Sequence, residues 1–302
     1  MEYVLISYMN ARKNSMIDLM PKPSYPTYPP YHTGLYLEDY FFDFYQRNID
    51  RFRKLKREYI PIFWTNIYLN AGGNLQSAVY ELQDDINKGI SPEGKYFTLC
   101  QHDDGPMNLL PQDTMIFGAG GNKHGPGVNP IPLICGPIAK QEKKDKEFLA
   151  SFVGSMTHRV RDKMVDSLKD KPDIYLSTKG WDNTMAVDNV EDFINASLKS
   201  KFVLCPRGWG LTSFRLYETM QLDAVPVYIS DKFWTPFTYE LNWDDFCVMI
   251  SEEEIPNLHS ILESISDEKY EMMKRKIEEV YENYFTLEGT CNKILQILEL
   301  EK

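Results

Sequence analysis

The residues best suited to chemistry lie in one loop and in the first turn of the helix that follows it. The sequence predicts a buried strand at 202–205, a Pro-Gly loop, a helix that opens near Thr212 and Ser213, and a second strand at 225–229. A helix N-terminus offers unpaired N–H groups and the positive end of its dipole, and both favour an anion. The side chains of this segment add cations, hydroxyls and a carboxylate, which together suit a diphosphate and a ribose diol: Arg207, Thr212, Ser213, Arg215 and Glu218.

The elements that must position this loop alternate between strands and helices along the chain. Short apolar runs predict strands, among them residues 96–100 and 148–153, and amphipathic stretches between such runs predict helices. We therefore expect α/β architecture with two parallel sheets, in which ligands bind beyond the carboxyl ends of the strands. Further strands are predicted at 3–8, 60–68, 114–117 and 173–177, and helices at 35–58, 75–88, 158–169, 189–197 and, as a pair, 267–300.

Length favours two domains. The 302 residues exceed the usual size of a single core. A charged stretch at 142–147 is predicted to link an N-terminal domain, residues 1–147, to a second domain, residues 148–280. The last helix, within residues 281–302, is expected to cross back to the first domain.

Charge and cysteine usage narrow the class of protein. The formal net charge of -11 argues against nucleic-acid binding, which normally needs a basic face, so an anionic ligand requires a locally basic pocket. The five cysteines show no metal-ligand spacing and are typical of reduced thiols in a cytosolic protein. Residues 1–9 lack a signal-peptide pattern, and no apolar run reaches the length of a membrane span. A soluble, cytoplasmic protein without a transmembrane segment is expected.

Residues 201–250 resemble the exostosin-like glycosyltransferases, the family grouped as GT47. The resemblance rests on PRGWGLTSFRLYE, then PVYISD, WTPF and LNWDDFCVMISEEEI, and on SFVGSMTHRVR at 151–161. It is dense over residues 150–280 and looser before them. The sequence departs from the family at Asp223-Ala224, where a glycine usually precedes the Pro-Val strand, and this leaves the tightness of that turn open.

The resemblance implies a GT-B fold, in which two Rossmann-like domains face each other across a cleft and the C-terminal one holds a nucleotide sugar. It also implies inverting transfer of the sugar, with UDP as the expected nucleotide, to a hydroxyl of a glycan acceptor. The donor-binding positions carried over to this sequence are Thr212, Ser213 and Arg215 for the diphosphate, Glu218 for the ribose, and Arg159 or Arg161 near the phosphates. Arg207 and Trp209 are further candidates because they lie in the predicted phosphate loop.

Four of these positions can also be weighed from their spacing. Arg215 and Glu218 stand three residues apart on a predicted helix, where a surface ion pair is the ordinary alternative. Arg159 and Arg161 stand near a helix start, where a positive charge opposes the dipole. This unfavourable interaction with the helix dipole is explained if either Arg159 or Arg161 contacts an anion.

Inverting transfer also needs a general base for the acceptor hydroxyl. We expect it from the N-terminal half, where the strand at 96–100 runs into His102, Asp103 and Asp104. Adjacent carboxylates can raise each other's pKa, as a base working near neutral pH requires. A polar strand-end turn is an equal alternative, because Asp-Gly is a common turn pair. The three residues stay unranked.

Two other segments of the N-terminal half bear on the cleft. Glu38 and Asp39 are further base candidates, although acidic residues at such a position are more typical of a solvated helix start. The glycine-rich loop at 117–130 has no nucleotide-cradling motif. It is predicted to be mobile or to face the acceptor, with His124 exposed.

Three functions stay open at this point. The first is a metal-independent glycosyltransferase without a cofactor, whose partners are a UDP-sugar and an oligosaccharide or glycoprotein glycan acceptor. The second is a non-catalytic carbohydrate-binding protein. The third is a metal-dependent GT-A transferase, which needs an Asp-x-Asp motif, whereas the sequence offers only adjacent pairs: Asp84-Asp85, Asp103-Asp104 and Asp244-Asp245.

The resemblance also bears on origin. Eukaryotic members of the family usually carry an N-terminal membrane anchor, and no such segment is evident in residues 1–9. A cytosolic enzyme of a microbe or a virus is therefore expected.

Overall fold

The chain folds into two parallel β-sheets with helices packed against them, and the computed structural model describes residues 19–22, 36–180 and 187–301. The predicted α/β class with two parallel sheets is confirmed. The strand predicted at 3–8 lies outside the described residues.

The N-terminal half carries a four-stranded sheet. Its strands are β1 (Glu58–Tyr59), β2 (Tyr96–Cys100), β3 (Thr114–Gly118) and β4 (Val128–Pro130), and its helices are α1 (Leu37–Arg47), α2 (Ile49–Phe52), α3 (Trp64–Ala71) and α4 (Leu75–Gly89). The strands lie side by side in chain order, and every neighbouring pair is parallel. Cys100 is the register partner of Gly118, so β2 and β3 end together and their following loops are neighbours.

The C-terminal half carries a five-stranded sheet. Its elements are β5 (Phe148–Ser155), α5 (Arg159–Leu168), β6 (Ile174–Lys179), α6 (Val187–Leu198), β7 (Ser200–Pro206), α7 (Phe214–Thr219), β8 (Val225–Ser230), β9 (Val248–Ser251), α8 (Leu258–Glu263), α9 (Asp267–Tyr284) and α10 (Leu287–Leu300). All pairs are parallel, in the order β6-β5-β7-β8-β9. This doubly wound order reverses between β5 and β7, and such a reversal opens a ligand crevice beyond the strand ends.

Helix α10 joins the end of the chain to the N-terminal half by packing on α1. Its buried residues Ile294 and Leu298 belong to the same core as Phe41 of α1. At the edge of this contact the Tyr40 hydroxyl donates to Glu288 at 2.7 Å. Exposed polar contacts of this kind contribute little, so apolar packing holds the helix in place.

Two predicted elements of the N-terminal half are wrong. The strand predicted at 60–68 is instead an irregular segment, 60–63, followed by the start of α3 at Trp64. The segment is buried throughout, and a fully buried apolar run shows neither the helical nor the strand period. The helix predicted at 35–58 is two helices, α1 and α2, and the chain then turns into β1.

Asp223 explains how the turn before β8 forms without the family's usual glycine. Its φ is 52°, a left-handed conformation that glycine adopts freely and that Asp tolerates better than most residues. Its carboxylate lies 2.9 Å from Lys274 and 3.1 Å from Lys143, with Lys146 at 3.7 Å. These lysines lower the pKa of Asp223, so the charged form stabilises the turn.

We predict that Asp223→Asn lowers the free energy of unfolding at pH 7 by about 1–2 kcal/mol. Asn tolerates the same φ, so the change removes only the charge, and the largely buried Lys146 and Lys274 lose their contact with a carboxylate at this turn, although Lys274 keeps Glu271 at 3.8 Å. Urea denaturation measures the effect. Because the pKa of Asp223 is depressed, the difference should be present at neutral pH and disappear as the pH falls below about 4. Lys143→Gln is the control, since Lys143 is 72% exposed.

Candidate active site

Strands β5 and β7 end side by side, and Arg161 links their ends. Its guanidinium donates to the carbonyl oxygen of Ser155 at 2.6 Å and to that of Arg207 at 2.9 Å. The residue is 5% exposed and lies over the ring of Phe152 at 5.9 Å. A buried cation that satisfies strand-end carbonyls fixes the loops that leave both strands. Arg161 therefore sits at the point where the sheet reverses, next to the predicted anion loop.

The two arginines on either side of this point are held by acidic side chains. Arg207 is buried, and its Nη1 lies 2.5 Å from Oδ1 of Asp231. Arg159 is 67% exposed at its side chain, pairs with Glu252 at 3.1 Å and lies 3.9 Å from Asp231. The structure thus separates two residues that the sequence left equivalent, with Arg159 in a surface ion-pair network and Arg161 at the strand ends.

Arg215 and Glu218 do not form the surface ion pair that their spacing allowed. Arg215 Nε donates to the carbonyl oxygen of Val153 at 2.5 Å, and its guanidinium lies 5.3 Å from the ring centre of Phe193. Gly154 makes room for this side chain, since a Cβ there would lie 3.1 Å from the Arg215 guanidinium carbon. Arg215 is therefore placed at the end of β5, beside Arg161.

Glu218 is a buried carboxyl group with unused hydrogen-bonding capacity. Its Oε1 has no hydrogen-bond partner among the described residues, and it lines a cavity of about 10 Å³ beside residues 133–136. Burial raises the pKa of Glu218 to about 7, although the nearby charge of Arg215 lowers it. A carboxyl group in this state can accept a hydrogen bond from a hydroxyl.

The loop that carries Thr212 and Ser213 is tightly braced. Both residues are buried, and the Gly208 N–H donates to the Thr212 carbonyl at 3.1 Å. Ser213 is the N-cap of α7, and its side chain makes no capping bond. Helix α7 is only 6 residues long. Its dipole is correspondingly small, so an anion here would depend on the arginines and on the loop backbone.

Asp103 reaches this loop from the other half of the molecule. Burial raises its pKa to about 6, and the charge of Asp104 acts in the same direction. The Gly210 N–H, Arg207 and Arg161 lower it. A carboxyl group of this pKa is available as a base near neutral pH.

The other two base candidates lie beside Asp103. Asp104 accepts a hydrogen bond from Nε1 of Trp209 at 3.2 Å and one from the Asn122 amide at 2.9 Å. Burial lowers the pKa of His102, which keeps its ring neutral near pH 7. Trp209 is 65% exposed, so it stands at the rim between the halves.

Glycines bring the two halves into direct backbone contact here. The Leu211 N–H donates to the Gly120 carbonyl at 2.7 Å, and Trp234 Nε1 donates to the Gly118 carbonyl at 2.9 Å. A Cβ on Gly210 would lie 2.6 Å from the Gly120 carbonyl oxygen. The start of the glycine-rich loop is therefore held in an interdomain contact, which disagrees with a mobile segment, while its predicted alternative, a loop that faces the acceptor, stays a prediction. His124 is exposed as expected.

Glu38 is not the solvated residue that the sequence indicated. It is buried, and it accepts the Thr65 N–H at 3.0 Å and the Gln101 N–H at 2.7 Å. Burial raises its pKa to about 8. Its spacing to Phe41, three residues on, does place it on the buried face of α1, so this signal was available. The residue braces the end of β2 just before the His102 loop.

One group of side chains in the described part of the chain has the composition of a metal site: Asp173, His259 and Glu263. His259 Nε2 lies 2.9 Å from Asp173, and its Nδ1 lies 3.1 Å from Glu263. The two carboxylates thus lie at opposite nitrogens of one ring, as in a hydrogen-bonded chain. The aspartates of the base loop do not belong to this group.

The two parallel sheets, with charged loops meeting between their strand ends, agree with the GT-B arrangement expected from the resemblance. Residues 123–265 match the family model of the exostosin GT47 domain. This match confirms the resemblance over that part of the chain.

Named relatives come from plants. A probable glycosyltransferase of Arabidopsis thaliana is 40% identical over 96 residues, which cover 32% of this chain and 19% of that protein. A second, 30% identical over 155 residues, matches 50% of this chain and 28% of its own length. A probable glucuronosyltransferase of Oryza sativa subsp. japonica is 32% identical over 84 residues, which cover 28% of this chain and 20% of that protein. The chain thus spans less than a third of these relatives, which lend no support to a microbial or viral origin.

Among solved structures, S. aureus TarM has 9% sequence identity to this chain and a TM-score of 0.42, over 73% of this chain and 59% of that one. This likeness is too distant to bear on the donor or the mechanism. Among the described helices, none combines the length and apolar character needed to span a bilayer.

We predict that Gly210→Ala destabilises the protein by about 1–3 kcal/mol, because the added methyl group must displace Asp103 or the Gly120 carbonyl. Thermal unfolding measures the change. Gly73→Ala is the matched control, since a Cβ at Gly73 meets nothing within 4 Å. Equal melting temperatures for the two variants would contradict the tight interdomain contact.

Proposed function

We propose that the protein is an inverting glycosyltransferase that moves a sugar from a UDP-sugar to a hydroxyl of a glycan acceptor. The observation that carries this proposal is the meeting, at the reversal point of the second sheet, of a loop rich in arginine and hydroxyl groups with a carboxylate loop from the other half. The first suits a nucleoside diphosphate, and the second suits proton removal.

The donor half of the site would use Arg161 and Arg215 near the phosphates, with Thr212 and Ser213 as hydroxyl partners. Both arginines lie at the end of β5, where each donates to a backbone carbonyl oxygen, Arg161 to that of Ser155 and Arg215 to that of Val153. Glu218 would accept hydrogen bonds from the ribose hydroxyls. Its present cavity of about 10 Å³ is too small for a ribose, so segment 133–136 must move when the donor binds.

The acceptor half would use the carboxylates after β2. As the acceptor oxygen forms its bond to the anomeric carbon, the bond from that carbon to the diphosphate breaks, and the acceptor proton passes to the base. We assign this role to Asp103, whose pKa burial raises to about 6, which suits a base near neutral pH. The arginines would stabilise the charge that develops on the leaving diphosphate.

Cations supplied by the protein would take the place of a metal ion, so we propose metal-independent transfer without a cofactor. Activity that survives EDTA supports this, and activity lost to EDTA and restored by a divalent cation favours the metal-dependent alternative. The sugar is best sought with a panel of UDP-sugars, in which UDP-glucuronate belongs because the rice relatives are named as probable glucuronosyltransferases.

We predict that UDP binds the wild-type protein and that Arg215→Ala weakens binding roughly 10- to 100-fold, the usual effect of losing a charge-assisted hydrogen bond. Isothermal titration calorimetry measures both affinities. Arg159→Ala should change the affinity less than about twofold, because Arg159 is an exposed member of an ion-pair network. A silent titration of the wild-type protein with UDP, together with binding of a glycan, would instead support a non-catalytic carbohydrate-binding protein.

We predict opposite effects of Glu218→Gln on stability and on UDP binding. The folded pKa of about 7 lies above the ordinary 4.5, so the stability contribution of Glu218 is full below pH 4.5 and is lost as the pH rises through 7. At pH 8 the variant should be more stable than the wild type by about 2–3 kcal/mol, and at pH 4.5 equally stable. Its affinity for UDP should nevertheless fall.

Urea denaturation at both pH values and calorimetry with UDP provide the two measurements. Glu282→Gln, an exposed carboxylate on α9, is the control for charge removal. A variant that gains stability at pH 8 but binds UDP as well as the wild type would show that Glu218 does not contact the ribose.

A further inference from the structure

The Asp103 carboxylate occupies a position that an anionic ligand of the 207–210 loop would need. Its Oδ1 lies against Gly210, so closely that a Cβ on that glycine would overlap it. The Gly210 N–H stabilises the carboxylate charge, as a loop N–H stabilises a phosphate oxygen. The backbone around it is fixed, since the Asn122 N–H donates to the Asp103 carbonyl at 3.1 Å.

The charges that face this carboxylate are those expected at a phosphate site. From the C-terminal half, Arg207 and Arg161 attract it. From its own loop, Asp104 repels it. Two cations and a backbone N–H on one side therefore hold a carboxylate that belongs to the opposite half of the molecule.

We propose that in the donor-free protein Asp103 takes the place of one donor phosphate on the 207–210 loop, and that donor binding displaces it toward the acceptor side. This inference rests on the proposed function. It gives the site a binding order, because the acceptor can meet a free base only after the diphosphate has taken over the contacts of Asp103. Without donor the base stays bound to Gly210 and is withheld from the acceptor.

This arrangement links donor binding to protonation. When the diphosphate displaces Asp103, the carboxylate loses the Gly210 N–H and the two cations that lower its pKa, so binding raises the pKa of Asp103 above its value of about 6 in the free protein. UDP should then bind more tightly as the pH falls, by tenfold for each unit by which binding raises that pKa. His102 and Asp104 flank the group, but neither contacts Gly210 in the way that Asp103 does.

The test is calorimetry with UDP at pH 5.5 and pH 8.0 on three full-length proteins: wild type, Asp103→Asn and Asp104→Asn. At pH 8.0 we expect Asp103→Asn to bind UDP at least tenfold more tightly than the wild type, since Asn keeps an acceptor for Gly210 and loses the charge. The wild-type protein should bind UDP more weakly at pH 8.0 than at pH 5.5 by about this factor, and the affinity of Asp103→Asn should not show that change. UDP has its own phosphate titration near pH 6, but all three proteins share it.

Asp104→Asn is the matched control, because it removes a neighbouring charge that pairs with Trp209 and not with Gly210. It should keep a pH dependence of the same direction as the wild type, displaced to lower pH because the charge of Asp104 raises the pKa of Asp103. Proton uptake on UDP binding, measured at pH 7 in two buffers of different ionisation enthalpy for the wild type and for Asp103→Asn, gives a second readout. Uptake greater than that of Asp103→Asn supports the proposal.

Equal or weaker UDP binding by Asp103→Asn at pH 8.0, with the pH dependence of the wild type, would overturn the displacement of Asp103 and leave the proposed function standing. UDP that binds none of the three proteins would remove the proposed function, and this inference with it. The two failures are therefore distinguishable.

Discussion

The buried guanidinium of Arg161 is the interaction on which the site depends. Buried backbone carbonyl groups at the ends of parallel strands need hydrogen-bond partners, and the reversal between β5 and β7 is where the crevice opens. Arg161 donates to carbonyls from both strand ends and so joins the two loops that the site is made of. Without this cation the loops after β5 and β7 would have to find other partners for buried carbonyls, and the site would lose its shape.

The interdomain contact places a second constraint on the same loop. Gly120 and Gly210 let the backbones of the two halves approach directly, and the Leu211 N–H pairs with the Gly120 carbonyl. Helix α10 joins the halves again at a distance, through its packing on α1. A movement that admits a donor must therefore occur between these two attachments, where segment 133–136 meets Glu218.

How much of the fold and of the candidate site can be predicted depends on whether the sequence pattern for each feature is local. The strand-loop-helix segment after residue 200 was readable because its apolar strands and its Pro-Gly loop are local features. The roles of Arg159 and Arg161 could not be distinguished from the sequence. The two residues stand two positions apart at a helix start, and they differ only in which of them faces the strand ends. Segment 60–68 was misassigned because burial on all sides conceals its period, and Glu38 because an acidic residue at a helix start usually meets water.

The negative net charge of the protein means that binding of a diphosphate depends on the local arrangement of charges at the site. A protein of formal charge -11 repels a diphosphate at long range, but salt screens that repulsion over about 8–10 Å, and short-range contacts then dominate. Each arginine of the site already has a partner, and Arg207 is committed to Asp231 at 2.5 Å. A diphosphate must therefore share or replace existing contacts. Exchange with a resident carboxylate costs less than desolvating a free cation, because the cation stays paired throughout.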